Sequence, residues 1–351
     1  MQSPSKFSNV VSIGGGTGLS CLLKGLKYSV LDFPEPPSRE TIPWISRLTA
    51  VVTVTDDGGS SGRLRNELKV LPPGDIRNCL VALSMDESLL SHLFQYRFPG
   101  KGQLQGHSFG NLFLTALTGV TGDFLKAIQV SSDVLATRGR IYPSTLEDVR
   151  LAAVLQDGTS LMGESAIAAA RGQVERISLT PGRVRPVPAV LEAIRMADVL
   201  TIGPGSLFTS LIPNLLVKGI CREIKRSKAL KIFIGNLMTQ PGETTGFRAS
   251  DHIRAIQDHT GSMFFDLVIL NNRSIAGPVL ARYRREGAIP VDSDIEVLEK
   301  MGLRVFEGDL LALGKVVRHD PALLANAVYR AGCHWKNSQS PLKAQTTSES
   351  L

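Results

Sequence analysis

Glycine, serine, threonine and aspartate fall in this 351-residue chain into short clusters whose spacing suits anion binding. The first is Gly14-Gly15-Gly16-Thr17-Gly18. The second is Asp56-Asp57, followed by Gly58-Gly59-Ser60-Ser61-Gly62 with Arg63 and Arg65 beyond it. A third, Gly203-Pro204-Gly205-Ser206, has Thr209 and Ser210 a turn later. The fourth runs from Gly235 through Asn236, Thr239, Gln240, Glu243 and Thr244, and Asn271-Asn272 is a shorter fifth. Glycines let backbone N–H groups approach anionic oxygens, and helix N-termini favour negative charge. Together the clusters point to a phosphate-bearing, nucleotide-like ligand.

Each cluster also has a plainer reading. Gly14, Gly16 and Gly18 miss the dinucleotide fingerprint, because Leu19 stands where its third glycine belongs. No Lys-Ser/Thr pair follows, so the loop is not a P-loop; the alternative to phosphate contact is a tight strand–helix turn. An acidic residue at Asp56 or Asp57 can hold ribose hydroxyls, a divalent cation or a substrate hydroxyl. Neighbouring side chains on a strand point in opposite directions, so the two aspartates do not share one atom; capping by one of them is the plain alternative. Ser206, Thr209 and Ser210 supply hydroxyl donors to the Gly203–Gly205 turn. Asn236, Thr239 and Gln240 suit recognition of a base or sugar, with an ordinary surface loop as the rival. His107 and Asn111, ahead of an apolar run, join Asp56 and Asp57 as catalytic candidates. His252 and His259 lack a third ligand at metal spacing, and no metal site is expected. Neither a GxSxG elbow nor a Cys–His arrangement is present.

These residues need elements to hold them. Apolar runs at Val10–Ile13, Leu48–Thr55, Val199–Ile202, Lys231–Ile234 and Leu267–Leu270 read as strands, each leading straight into one of the clusters. Helices are expected at Leu19–Leu26, at Asp75–Leu83 with Asp75 as its N-cap, and through the apolar run Leu112–Leu117. Further helices are read at Val187–Met196, Ser206–Val217 with Pro213 kinking or ending it, Asp251–Asp258, Gly277–Glu286 and Pro321–Arg330. Strand–loop–helix repetition of this kind predicts an α/β, Rossmann-like, mostly parallel sheet flanked by helices. Ligands of such sheets bind outside the carboxyl ends of the strands, where distant loops converge. Between about residues 149 and 185 the texture changes. Leu151–Gln156 and Gln173–Leu179, with an Asp157-Gly158 turn, read as a small inserted antiparallel excursion. Asp309–Leu313 reads as a late strand, Asp32–Pro43 as a proline-rich surface linker, and 337–351 as a disordered tail.

With 43% hydrophobic residues the chain can bury a large core. Cys21, Cys79, Cys221 and Cys333 are widely spaced, which suggests reduced thiols and a cytoplasmic protein; Cys21 and Cys79 read as buried packing residues. Residues 1–9 are polar, so no signal peptide is expected, nor is any run long and apolar enough to span a membrane. The net charge of +7 is scattered, which suits a basic groove for a small anion rather than nucleic acid.

Eight segments in order resemble the YvcK/CofD-like family, in its bacterial gluconeogenesis-factor branch: Ile13-GGGTGL, Thr53-VTDDGGSSGRLR, Leu71-PPGDIRNCLVAL, His107-SFGNL, Asp157-GTSLMGES, Ile202-GPGSLFTSLIPNLLV, Asn236-LMTQPGET and Asp251-HIRAI. The likeness runs from about Val10 to His319. It implies one CofD-like α/β nucleotide-binding domain over 8–330, a UDP-sugar ligand, UDP-N-acetylglucosamine in particular, and no required cofactor. It further implies a link to cell-wall precursor supply, cell shape and growth on gluconeogenic carbon sources, with protein partners in cell-wall regulation; the sequence does not set the oligomeric state, although folds of this kind are often homodimers. Tyr283 and Arg318 match the family's UDP-sugar contacts: a Tyr can stack on uracil, and an Arg can fork onto a diphosphate. The other branch, the 2-phospho-L-lactate transferases, shares the glycine loop, Asp56-Asp57 and Gly203-Pro204. It differs after Gly205, where Ser206-Leu207 stands in place of Asn-Pro. Transferase chemistry, with Mg2+, is the alternative expectation.

Overall fold

A strand buried on both faces must be apolar on both, and the central strands of this chain are. The computed structural model describes residues 9–31, 42–85, 89–170 and 172–339. Seven strands form one parallel sheet: β1 (Asn9–Gly14), β2 (Arg47–Val52), β3 (Arg140–Pro143), β7 (Val199–Ile202), β8 (Leu230–Ile234), β9 (Leu267–Asn271) and β10 (Arg304–Gly308), in the order β10-β9-β8-β7-β1-β2-β3. A second, antiparallel sheet of β4 (Arg150–Leu155), β5 (Ser160–Met162) and β6 (Val174–Thr180), in the order β5-β4-β6, fills the inserted segment.

Alternation along the strands splits the core in two. Val10, Ala50, Val52, Val199, Ile232 and Ile269 face one side, where they meet Leu19, Leu22, Leu23 and Leu26 of helix α1 (Gly16–Leu26) and Leu324 and Val328 of the C-terminal helix Pro321–Gln339. Val11, Ile13, Val51, Leu200, Ile202 and Phe233 face the other side, which is closed partly by the inward residues of the second sheet.

Strand order reverses between β1 and β7. The chain builds outward from β1 to β2 and β3, then returns beside β1 at β7 and builds the other way. The register Val10↔Val199 to Ile13↔Ile202 places the loops after the two strands side by side. Such a reversal opens a crevice at the carboxyl edge of the sheet.

The structure changes several sequence expectations. Gly59–Gly62 is not loop but the first turn of helix α2 (Gly59–Leu68). A Cβ on Gly62 would lie 1.9 Å from the Asp57 carbonyl, so this turn packs too closely for any other residue. Helix α3 (Gly74–Leu83) is capped at Pro73 rather than Asp75, which lies inside its first turn. Pro213 neither kinks nor ends a helix: a wide π turn, Leu207–Leu211, precedes it, and Pro213 opens the helix Ile212–Leu216, where its missing N–H costs nothing. The late strand is β10, and Asp309–Leu313 beyond it is irregular apart from a bridge from Leu311 to His319. The C-terminal helix continues to Gln339, so residues 337–339 are helical rather than tail; 340–351 lie outside the described residues, as do 32–41 of the proline-rich segment and 1–8 of the polar start. Strand β3, short and ended by Pro143, was not expected from the sequence.

Candidate functional site

The crevice at the reversal is a cavity of about 1240 Å³. Its floor is one face of α1: Thr17, Ser20, Cys21 and Lys24 recur at helical spacing and line it, while the opposite face carries the buried leucines. The α1 end is walled by Gly15, Gly16 and Gly18. From the loop after β7 come Pro204, Gly205, Ser206 and Ser210, and from the loop after β8 come Asn236, Thr239 and Gln240. Tyr283 and Arg318 close the far side. On the remaining side stand Asn78 of α3 and Ser91, His92 and Gln95 of helix α4 (Leu89–Gln95), none of which was singled out from the sequence.

Direct contacts wire these loops together. A Cβ on Gly18 would lie 2.3 Å from the Pro204 carbonyl oxygen, so Gly18 serves the approach of one loop to the other. The Gly205 N–H donates to Asn236 Oδ1 at 3.4 Å, and Gln240 Nε2 donates to Ser206 Oγ at 2.8 Å. Gly203, at φ +91°, occupies the left-handed region and packs on the Ile234 carbonyl. The Tyr283 hydroxyl accepts the Val317 N–H at 3.1 Å, its ring lies 5.1 Å from the Arg282 guanidinium, and Arg282 donates to the Lys315 carbonyl. Tyr283 is thereby fastened to the loop that carries Arg318.

Other predicted residues fall elsewhere. Gly14 ends β1 against Leu19 and Leu211, and Thr209 is buried in the π turn. Asp56, Asp57, Ser60, Ser61, Arg63, His107 and Asn111 gather in a second polar cluster. There Ser60 Oγ lies 3.0 Å from His107 Nδ1, and Asn111 Nδ2 donates to Ser60 Oγ at 3.2 Å. Burial, with Arg63 reinforcing it, holds the His107 ring below its ordinary pKa. Arg63 donates to the Gln103 and Gln105 carbonyls. Asp56 accepts the Gly58 N–H at 2.9 Å, and Asp57 accepts the Ser165 N–H of the inserted segment at 2.8 Å.

A carboxyl group stands between the two clusters. A Cβ on Gly15 would lie 2.7 Å from Asp75 Oδ2, and Asp75 takes a hydrogen bond from the Gly16 backbone. Burial raises Asp75 to about 6; Asp56 adds to the rise, while the Gly16 hydrogen bond and Arg77 oppose it. Glu164 of the insertion is pushed up to about 9 by burial first and then by Asp56, Asp75, Glu243 and Asp57. Burial likewise raises Glu243 to about 7, and its Oε2 has no hydrogen-bond partner. Among the described residues, no group of three or more His, Cys, Asp and Glu side chains is arranged to hold a metal ion.

Three further side chains were misjudged or missed. Cys21 is not simply core packing: it lines the cavity, and its thiol donates to the His319 carbonyl at 3.1 Å. Burial, aided by Asp320 and opposed by Arg318 and Lys24, pushes that thiol up to about 11. His319 is held neutral down to about 4 by burial, with a Gly235 backbone hydrogen bond opposing. Asp75, expected as a cap, could not be recognised as a neighbour of the glycine loop, because 60 residues of chain separate them. His252 and His259 hydrogen-bond the Arg248 and Ala255 carbonyls and take no part in either cluster. None of the four cysteines forms a disulfide, and no helix among the described residues is long and apolar enough to cross a membrane.

A mostly parallel sheet flanked by helices, with its cleft at a strand-order reversal walled by two glycine loops, defines a Rossmann-like α/β protein. The 2-phospho-L-lactate transferase CofD family matches residues 10–311, and the chain belongs to that CofD-like family. It is 46% identical over 318 residues to the gluconeogenesis factor of Bacillus subtilis, covering 90% of this chain and 96% of that protein. To the gluconeogenesis factor of Halalkalibacterium halodurans it is 47% identical over 324 residues, 92% of this chain and 96% of the relative. A crystal structure of a UPF0052 family member from Bacillus halodurans superposes with a TM-score of 0.85 at 47% identity, covering 92% of this chain and 99% of that one.

Proposed function

We propose that the cavity binds a nucleotide sugar, UDP-N-acetylglucosamine in particular, and that the protein acts as a ligand-binding regulator of the gluconeogenesis-factor type. Cell-wall precursor supply, cell shape and growth on gluconeogenic carbon are the processes it would serve. The observation that carries this reading is the cleft itself, with glycine loops at one end and the fastened pair Tyr283 and Arg318 at the other. A diphosphate suits the loops and the guanidinium; a flat base suits the phenol ring. The name gluconeogenesis factor, borne by relatives at 46–47% identity, supports the gluconeogenesis-factor type. Calorimetry with UDP-N-acetylglucosamine tests it. Binding is expected, and Tyr283→Ala and Arg318→Ala should each weaken it at least tenfold, about 1.4 kcal/mol or more. No heat at millimolar ligand, or unchanged affinity in both variants, would sink it.

A second reading, a transferase acting on a nucleoside-diphosphate-activated donor, is favoured by the carboxyl cluster behind the glycine loop, with Asp56 in reach of Asp75. The Mg2+ such chemistry commonly uses would be held by Asp56 or Asp57 together with the donor's phosphates. Asp56 and Asp57 each engage only one oxygen on a backbone N–H, which leaves the other oxygen of each to ligate. Release of nucleoside mono- or diphosphate that disappears in Asp57→Asn would establish this reading; none across a panel of donors, with and without metal, would argue against it.

A further inference from the structure

The N-terminus of α1 is where a diphosphate would seat, yet a carboxyl of the protein already stands against it. Gly15 and Gly16 face the cavity, while Asp75 packs against Gly15 from behind and takes the hydrogen bond of the Gly16 backbone. We propose that the Asp75 carboxyl is an internal anion on the glycine loop, and that seating a ligand's diphosphate there is coupled to its protonation. Asp75 thereby sets how strongly the site takes anions. The inference rests on the nucleotide-sugar reading above.

Several groups face Asp75. Asp56 comes from the loop after β2 and Glu164 from the insertion, both acidic; Arg77 and Cys79 come from its own helix. Only Arg77 among them is cationic; Lys24 and Arg318 line the cavity on the ligand's side, so they compensate a diphosphate rather than Asp75. Ionised Asp75 repels a phosphate; protonated Asp75 does not. Burial has already brought its titration to about 6. A diphosphate alongside lifts it further, so at neutral pH the complex holds more protons than the free protein. Affinity therefore rises as pH falls through the titration of the complex, and levels off below about 6, where the free protein is protonated as well. The diphosphate of a UDP-sugar is doubly esterified and has no titration of its own in this range.

Calorimetry on the full chain with UDP-N-acetylglucosamine, at pH 6, 7 and 8 and in paired buffers of different ionisation enthalpy, reads the coupling directly. Net proton uptake is expected at pH 7, with affinity gaining up to about tenfold per unit as pH falls from 8. Asp75→Asn should bind more tightly than wild type at pH 8, with a flattened pH profile; a residue of purely structural importance would bind more weakly instead. That comparison also separates Asp75 from His92, which lines the same cavity. Asp56→Asn keeps Asp75 but removes its neighbour's charge, and should move the midpoint downward. Binding without proton uptake, or an unchanged pH slope in Asp75→Asn, overturns this inference alone. Absence of binding at every pH overturns it together with the nucleotide-sugar reading.

Discussion

Single atoms decide how the loops meet. Gly18 has a backbone carbonyl where its Cβ would go, 2.3 Å away, so Gly18→Ala must push the α1 loop off the Gly203–Ser206 loop. Overpacking of this kind costs about 1–3 kcal/mol. Denaturant unfolding should show that loss, and calorimetry should show a larger one in ligand affinity, since both loops wall the cavity. Cys21 offers a second test. Its thiol lines the cavity but is pushed up to about 11, so it holds its proton at neutral pH. Iodoacetamide at pH 7.5 should leave it unmodified in the folded protein while denatured protein reacts, as mass spectrometry would show. The thiolate is the reactive form, so rapid alkylation of folded Cys21 would contradict this assignment.

At the scale of elements, helix α1 is held from two sides. Its leucines enter the core, and a Cβ on Gly25 would lie 1.9 Å from the Pro321 carbonyl at the start of the C-terminal helix. Gly25→Ala should lower the melting temperature by separating the two helices, with less effect on ligand binding than Gly18→Ala, because Gly25 does not face the cavity. The strands were legible because a strand buried on both faces is a short apolar run ending at glycine or asparagine, as at Val199–Ile202. Helix α2 was not. Beside Gly62 and Leu64 its buried residues are Ser60, Ser61 and Arg65, which in sequence look like a polar loop; tertiary partners such as His107 and the Val149 carbonyl are what engage them inside. The start of the C-terminal helix was legible, but its end was not: Gly332, just past Arg330, is a stop signal in the sequence, yet the helix continues through it to Gln339.

Over the whole molecule, carboxyls drawn from the second loop, α3, the insertion and the loop after β8 meet in one acidic region. Glu164 at about 9 and Glu243 at about 7 lie above the 4.5 of an unfolded glutamate. The folded state therefore binds more protons than the unfolded state between those values. The stabilisation that this confers is complete below 4.5 and is lost as pH rises through the folded titrations. His319, neutral when folded, acts in the opposite sense between about 4 and 6.5, so the clean window for measurement is pH 6.5 to 9. Melting temperature should fall across that window, and Glu164→Gln should flatten its upper part. A flat wild-type profile there would refute the assignment of these two glutamates.

Composition and local pattern by themselves determined the class of fold, the ends of the central strands β1, β7, β8 and β9 to within a residue, the order of the polar loops and the family likeness. These depend on residues within a few positions of one another: apolar alternation, glycine placement and turn chemistry. Only the tertiary structure decided which loops share a cavity, that Gly18 serves packing, and that Asp56, Asp57, Ser60, Ser61, His107 and Asn111 form a cluster beside the cavity rather than its walls. It alone placed Asp75 against the glycine loop and Tyr283 against the segment that carries Arg318. Strand order and burial set these relations. A carboxyl's neighbours, and so its charge at neutral pH, come from segments a hundred residues or so apart, as with Glu164 and Asp56, whose adjacency no local pattern encodes.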